Sequence, residues 1–205
     1  MFQLTTSSLG QRRAALVILL LLGGLQQMAS AGYIQAKAHL AQVLIGWSWQ
    51  NSLAAGGTPQ KPWPWADTWP IARLEVPQSS VDLYVLSGSA GHALAFGPGH
   101  EPASAKPGEP GLSLIGGHRD THFSFLRDMN GGERFSLQLP SGERLDYRVS
   151  DVGIVDINRD PLPVNLGEGE ELLLVTCYPF DALVPGGPLR FVVRAQPARA
   201  KTHGL

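Results

Sequence analysis

The chain begins with a long apolar segment. Residues 14–34 contain only Gln26, Gln27 and Ser30 as polar side chains and carry no charge. Because about 20 apolar residues in a helix cross the hydrocarbon core of a bilayer, this pattern predicts one membrane span. Beyond it, apolar residues recur at helical spacing over residues 36–49, which predicts a short helix.

From residue 71 onward the apolar runs become short and β-like. They are rich in Val, Ile, Leu, Phe and Tyr and are bounded by Gly, Pro, Asp or Ser, which mark turns. The candidate strands are residues 71–76, 81–86, 113–117, 134–139, 145–155, 172–176 and 189–194. This pattern predicts an all-β domain, either a closed or nearly closed antiparallel barrel or a sandwich. The Pro- and Gly-rich residues 97–111 are expected to form a surface loop.

The chain is therefore expected to have five segments. They are a cytoplasmic N-terminus, a signal anchor, a Trp/Pro-rich linker with a short helix, a β-domain and a polar tail: residues 1–13, 14–34, 35–70, 71–197 and 198–205. Four prolines between residues 59 and 70 exclude regular helix or central strand there. All five tryptophans lie from Trp47 to Trp69. Their side chains either form a membrane-interface belt or a binding surface, or they pack on the β-domain and attach the linker to it. We favour attachment of the linker.

The charges around the apolar segment predict its orientation. Arg12 and Arg13 precede it and no acid occurs before residue 14, so the N-terminus is expected to stay cytoplasmic and the β-domain to be exported across the membrane. Residues 29–31, Ala-Ser-Ala, also fit a cleavage site, so the segment is either an uncleaved anchor, which we favour, or a cleaved signal peptide. A net charge of −1 without a basic stripe argues against a nucleic-acid partner.

Cys177 is the single cysteine of the chain and ends an apolar run. In an oxidising compartment structural cysteines are usually paired, so an unpaired one is either a reactive thiol or a small buried hydrophobe. His118 and Arg190 lie at the ends of other predicted strands. A thiolate nucleophile needs a proton partner or a cation beside it. The three residues together predict a cysteine acyl-transfer site.

Each of these side chains suits one part of acyl transfer. Attack on an amide carbonyl develops negative charge on oxygen, and an arginine such as Arg190 offers permanent charge and fixed donors for it. His118 can protonate the leaving amine near neutral pH. Although His118 and His122 are four residues apart, the preceding Leu-Ile-Gly-Gly favours a strand end over a metal-binding helix face. Neither a metal nor another cofactor is expected.

Three runs of sequence resemble the sortase family. They are Gly-His-Arg-Asp-Thr-His-Phe, Leu-Val-Thr-Cys-Tyr-Pro and Leu-Arg-Phe, at residues 117–123, 174–179 and 189–191. The resemblance covers residues 71–195 and is closest to the small single-pass sortases of proteobacteria, class GN. The family commonly has Thr-Leu-x-Thr-Cys, and Leu173 replaces the first threonine here, which we interpret as a core substitution.

The resemblance implies an eight-stranded sortase-type β-barrel with short helices or 3-10 turns, preceded by a transmembrane helix. It implies a membrane-anchored transpeptidase that cleaves an LPxTG-like C-terminal sorting signal of an exported protein. The acyl fragment is held as a thioester and passed to an amine acceptor. Cys177 matches the nucleophile, His118 the general acid/base and Arg190 the guanidinium beside the substrate. Thr176 and Tyr178 are weaker candidates for substrate or oxyanion binding.

Other interpretations stay open. His122 is the substitute if His118 is not the acid/base, and Arg190 has the alternative of a surface ion pair. The same fold could use water as the acceptor and act as a cysteine endopeptidase. A non-catalytic periplasmic β-domain could instead bind a partner through its Trp-rich face. Substrate specificity is expected to lie in the loops at residues 156–169 and 179–188.

Overall fold

In the part of the chain that the structure describes, eight strands close into one barrel. The computed structural model describes residues 6–160, 162, 169–184 and 186–198, and the chain divides into two units, residues 1–42 and 43–205. The strands, β1 to β8 in chain order, are Pro70–Val76, Val81–Ser87, Gly99–His100, Gly111–Gly116, Arg134–Gln138, Arg144–Asp156, Glu170–Cys177 and Leu189–Pro197. They are hydrogen-bonded in the order β1-β2-β3-β4-β7-β8-β6-β5 and back to β1.

The barrel is mixed rather than antiparallel, which corrects the expectation from sequence. Strand β3 pairs in parallel with β2, and β4 pairs in parallel with β7. Strands β4, β6 and β7 all run in the same direction, so the connection from β6 to β7 returns the chain to the end of the barrel where β4 begins. Two strands joined by a tight hairpin must be antiparallel, whereas a crossover of this length allows parallel pairing.

Seven of the observed strands coincide with predicted ones and differ only at their ends. The eighth, β3, falls in the segment 97–111 that was expected to be a surface loop. His100 of this strand is buried, and its Nε2 lies 2.9 Å from the carbonyl oxygen of Ala105. Because β3 has only two residues, it has no alternating pattern for the sequence to show. The loop prediction is therefore wrong at residues 99–100.

Strand β7 separates two apolar clusters. Leu172 and Leu174 belong to the main core inside the barrel. Leu173 and Val175 point to the opposite face, where they form a second cluster with side chains of β4 and β8. Leu173 is fully buried there, so the departure from the family's Cys motif is a core substitution, as predicted.

Helix α1, Thr6–Ala54, is 49 residues long and continuous. The sequence predicted a membrane span followed by a separate short helix, and that separation is wrong. No proline interrupts residues 6–54, so nothing ends the helix between the two predicted segments. Gly10–Ala54 is long and apolar enough to cross a membrane, which is compatible with a single-pass anchor. No helix or strand follows until β1, as the prolines predicted.

The tryptophans near the end of α1 and in the linker divide into two groups. Trp49 is fully buried, with its ring centroid 5.9 Å from that of Tyr84. Trp63 is half-buried and meets Phe96 edge to face. Trp47 is 65 % exposed and Trp65 is also exposed. The prediction that tryptophans attach the linker to the domain is therefore confirmed for Trp49 and Trp63 and is wrong for the two exposed rings.

Candidate active site

Strands β7 and β8 bring Cys177 and Arg190 together. Cys177 is the last residue of β7, half-buried and a free thiol. In the antiparallel pairing of the two strands it lies directly opposite Arg190. Residues opposite each other in an antiparallel pair project to the same face of the sheet. The thiol and the guanidinium therefore share the face that carries the second apolar cluster.

The end of β4 adds His118 to this face. Strands β4 and β7 run parallel, with Gly116 opposite Val175. The backbone N–H of Gly117 donates to the carbonyl of Val175 at 3.0 Å, so the ladder continues beyond β4. If the register and the alternation of β4 are continued two residues past Gly116, we expect His118 beside Cys177 and on the same face. His118 is exposed to solvent.

A close contact at Gly117 shapes the turn that presents His118. A Cβ atom at position 117 would lie 2.7 Å from Cγ of Phe123, so no other residue fits without displacing that ring. Phe123 is fully buried, and its backbone N–H donates to the carbonyl of His118 at 2.9 Å. The glycine and the buried ring together hold the histidine at the strand end.

Thr176 and Tyr178, the weaker sequence candidates, both make hydrogen bonds within the fold. Thr176 is 2 % exposed, and its hydroxyl donates to the carbonyl of Gly117 at 2.7 Å. The backbone N–H of Tyr178 donates to the carbonyl of Leu189 at 3.0 Å. Both groups therefore tie neighbouring strand ends together around Cys177.

The guanidinium of Arg190 keeps its charge unpaired within the described residues. Its Nη1 donates to the carbonyls of Gly187 and Leu189 at 2.7 and 2.9 Å. Carboxylates of the described residues form no ion pair with it, whereas Arg194, further along β8, pairs with Glu171 at 2.7 Å. The surface ion pair considered for Arg190 is thus found at Arg194. A cation with free donors next to a thiol can stabilise an oxyanion.

Arg119 is a residue that the sequence analysis missed. It is 9 % exposed, although it directly follows the exposed His118. Its Nη1 donates to the carbonyl of Pro179 at 2.7 Å and its Nη2 to the carbonyl of Ala182 at 2.6 Å. A sequence does not show which backbone carbonyls will accept hydrogen bonds from a side chain. The only signal was a charged residue directly after the candidate histidine.

An aromatic cluster follows Cys177 and was also missed. Phe180 and Phe191 meet at 5.1 Å between ring centroids, and the ring of Tyr178 lies within 6.3 Å of both. The guanidinium of Arg127 lies 5.1 Å from the centroid of Phe180. The two aromatic residues close after the cysteine, Tyr178 and Phe180, were the available signal. The cluster packs the start of the β7–β8 loop against β8.

His122, the substitute acid/base, has an environment different from that of His118. It is half-buried, and this burial, with a smaller contribution from the charge of His118, lowers the pKa of His122 below its ordinary value. A neutral His122 suits a packing position better than proton donation at neutral pH. In the described part of the chain, no group of three or more His, Cys, Asp or Glu side chains is placed to hold a metal ion.

Comparison with known proteins gives consistent similarities. A family model described as a sortase domain matches residues 74–198, more than half of the chain. Sortase D of Bacillus subtilis (strain 168) is 34 % identical over 120 residues, which are 58 % of this chain. The match spans 60 % of that relative, less than two thirds of its length.

Solved structures resemble the barrel as well. Sortase A from Corynebacterium diphtheriae superimposes with a TM-score of 0.59 at 21 % identity, covering 80 % of this chain and 86 % of that one. Sortase C-1 from Streptococcus pneumoniae gives a TM-score of 0.56 at 25 % identity, covering 64 % and 68 %. At such identities the likeness concerns the fold.

Proposed function

The chain belongs to the sortase family, and from this membership we propose that it is a membrane-anchored cysteine transpeptidase whose nucleophile is Cys177. Sortases act on substrates that bear a sorting signal, and the eight-stranded closed mixed barrel is the sortase fold. One observation supports the proposal: Arg190 lies opposite Cys177 in the β7–β8 pairing, and His118 follows the end of β4, the strand that pairs with β7. The proteobacterial class GN subtype stays a prediction from the sequence.

The first half-reaction transfers the acyl group to sulfur. The thiolate of Cys177 attacks the carbonyl carbon of the scissile peptide bond, and the charge that develops on oxygen is stabilised by Arg190. As the C–N bond breaks, His118 gives a proton to the leaving amine. The S–C bond that forms is the thioester of the acyl-enzyme. Exposure of His118 and half-exposure of Cys177 leave the site open to a substrate.

The second half-reaction releases the product. An amine acceptor attacks the thioester carbon, His118 accepts the proton that the amine loses, and the S–C bond breaks to return the thiolate. If water takes the place of the amine, the same steps give hydrolysis. Transfer to an amine is the proposal because it is the activity of the family.

The proposed substrate is an exported protein with an LPxTG-like signal near its C-terminus. Apolar surface beside the site supports this choice. Leu183 and Val184, on the β7–β8 loop that follows Cys177, are 99 % and 78 % exposed. Exposed apolar side chains next to reactive groups favour binding of apolar residues. Residues 161, 163–168 and 185 of the predicted specificity loops lie outside the described residues.

The proposed location is the inner membrane, crossed once by α1, with the barrel facing the periplasm or outside. The exposed apolar side chains of residues 16–22 on α1 support a lipid environment for that part of the helix. Arg12 and Arg13 ahead of this run support a cytoplasmic N-terminus. The exported protein and the amine acceptor would therefore meet the enzyme on the far side of the membrane.

Intact-protein mass spectrometry tests the proposal. The full chain in detergent is incubated with a library of LPxTG-like peptides, beside the Cys177→Ala variant. We expect an acyl adduct on the wild type, discharged by added amine, and none on the variant. Discharge at the same rate without amine would make the protein an endopeptidase. No adduct with any peptide, together with resistance of Cys177 to small alkylating agents, would support a non-catalytic binding domain.

A further inference from the structure

We propose that Arg119 is a positioning residue that fixes the loop after Cys177 against the turn carrying His118, and so sets the geometry between thiol and imidazole. This inference rests on the proposed function, because it concerns the same reaction. It adds a residue that touches none of the reacting atoms. Its contacts are with the backbone of the β7–β8 loop.

The position of Arg119 in the chain makes this connection direct. It is bonded to His118 and lies in the turn that follows β4. Its two terminal nitrogens reach Pro179 and Ala182, which follow Cys177 in the loop after β7. The guanidinium thus joins the two segments that carry the proposed acid/base and the nucleophile.

Burial of this cation indicates that the link is a strong one. A buried charge is costly unless its donors are hydrogen-bonded. The carboxylate near Arg119 belongs to Asp120 at 3.2 Å and is mostly exposed, so it compensates little of that cost. The two carbonyl acceptors therefore supply most of the compensation, and hydrogen bonds from a charged donor are worth more than neutral ones.

The shape of the side chain explains why arginine is required. A planar guanidinium can place two N–H groups on two separate carbonyls at once, whereas a lysine ammonium is a compact point charge on a flexible stem. Arg119→Lys therefore keeps the charge and loses the two-point link. A second cation, Arg127, packs on the ring of Phe180 between the two anchored carbonyls. The loop is held through its backbone by one arginine and through a ring by the other.

The effect on catalysis follows from the precision that acyl transfer needs. Reacting groups displaced by about 1 Å can lose about 100-fold in rate. Without the link, the β7–β8 loop can move away from the turn after β4, and Cys177 and His118 no longer hold one relative position. The thiol itself stays in place at the end of β7, so its chemical reactivity toward small reagents should persist.

The test compares Arg119→Met, Arg119→Lys and a matched control, Arg134→Met, in the full chain in detergent. Arg134 is an exposed arginine at the start of β5 and lies outside the proposed site. Three quantities are measured: kcat and KM for an LPxTG-like peptide, the alkylation rate of Cys177 by iodoacetamide, and hydrogen exchange of the amides at residues 180–184.

We expect both Arg119 variants to lower kcat about 100-fold with a smaller change in KM. Alkylation of Cys177 should be at least as fast as in the wild type, and exchange at residues 180–184 about tenfold faster or more. Arg134→Met should match the wild type throughout. Wild-type kcat in Arg119→Met, or full rescue by Arg119→Lys, would overturn the proposal. So would a loss of kcat with unchanged exchange.

The hydrogen-exchange measurement separates this inference from the proposed function. If the wild type forms no acyl adduct, the transpeptidase proposal fails while the exchange data still test the link. Should Arg119→Met fail to fold, Arg119→Lys carries the same three measurements, because it keeps the charge and most of the side-chain volume. Unchanged exchange in a folded Arg119→Lys would then overturn the link.

Discussion

The hydroxyl of Thr176 is a single hydrogen bond whose removal should affect the site more than the fold. It donates to the carbonyl of Gly117, the residue before His118, from a position that is almost fully buried. Thr176→Val keeps the shape of the side chain and removes only the donor. Leaving a buried acceptor without this partner should cost about 1–3 kcal/mol of unfolding free energy.

Thr176→Ser is the matched control. It keeps the hydroxyl and removes one buried methyl group, which costs about 1 kcal/mol. The two variants should therefore lose similar stability and differ in activity. Because the valine variant releases the end of β4 from β7, we expect its rate of acyl-enzyme formation to fall about tenfold or more, which is about 1.4 kcal/mol of transition-state free energy. The serine variant should react nearly as the wild type.

The assay pairs urea denaturation of the detergent-solubilised chain with single-turnover formation of the acyl adduct, followed by mass spectrometry. A valine variant that loses the expected stability and still reacts at the wild-type rate would refute the idea that this hydrogen bond positions His118. A serine variant that loses as much activity as the valine variant would show that methyl packing, rather than the hydroxyl, matters.

Two further predictions concern stability. Trp49→Ala should lower the free energy of unfolding by about 3–5 kcal/mol, since the ring is fully buried. Trp47→Ala, at an exposed ring of the same helix, should change it by about 0.5 kcal/mol or less. Equal losses of the two variants in urea denaturation would contradict the difference in burial between the two rings. Burial lowers the pKa of His122 in the folded chain. As the pH falls through about 6.5, the unfolded chain therefore binds more protons at this residue than the folded chain does, and the free energy of unfolding decreases. His122→Gln should flatten this part of the stability profile, and an unchanged slope in unfolding midpoints from pH 7 to pH 5 would argue against it.

Local patterns account for most of the fold. The seven predicted strands are runs rich in apolar residues with turn residues at their ends, the pattern typical of strands. Strand β3 has no such apolar run, because it is two residues long. The parallel pairing of β4 with β7 depends on contacts between residues far apart in sequence, and no local pattern encodes it. Helix α1 is continuous because no proline interrupts it. The separate predictions of a membrane span and a short helix overlooked this lack of proline.

The site was predictable only in part for a similar reason. Cys177, His118 and Arg190 stand out because of their chemistry and because the family pattern contains them. The contributions of Arg119 and Thr176 depend on backbone carbonyls of Pro179, Ala182 and Gly117 as acceptors. Any residue could supply those carbonyls, so only the folded arrangement reveals them.

The order of strands in the barrel also determines when the site can exist during synthesis. Strand β8 is the last to be made, yet it lies between β7 and β6 and carries Arg190. A growing chain that ends after β7 already contains Cys177 but has no neighbour for one edge of that strand. Pairings between distant parts of a sequence also form late in folding. An incomplete polypeptide therefore has the thiol without the cation opposite it, and the proposed acyl transfer requires the complete barrel.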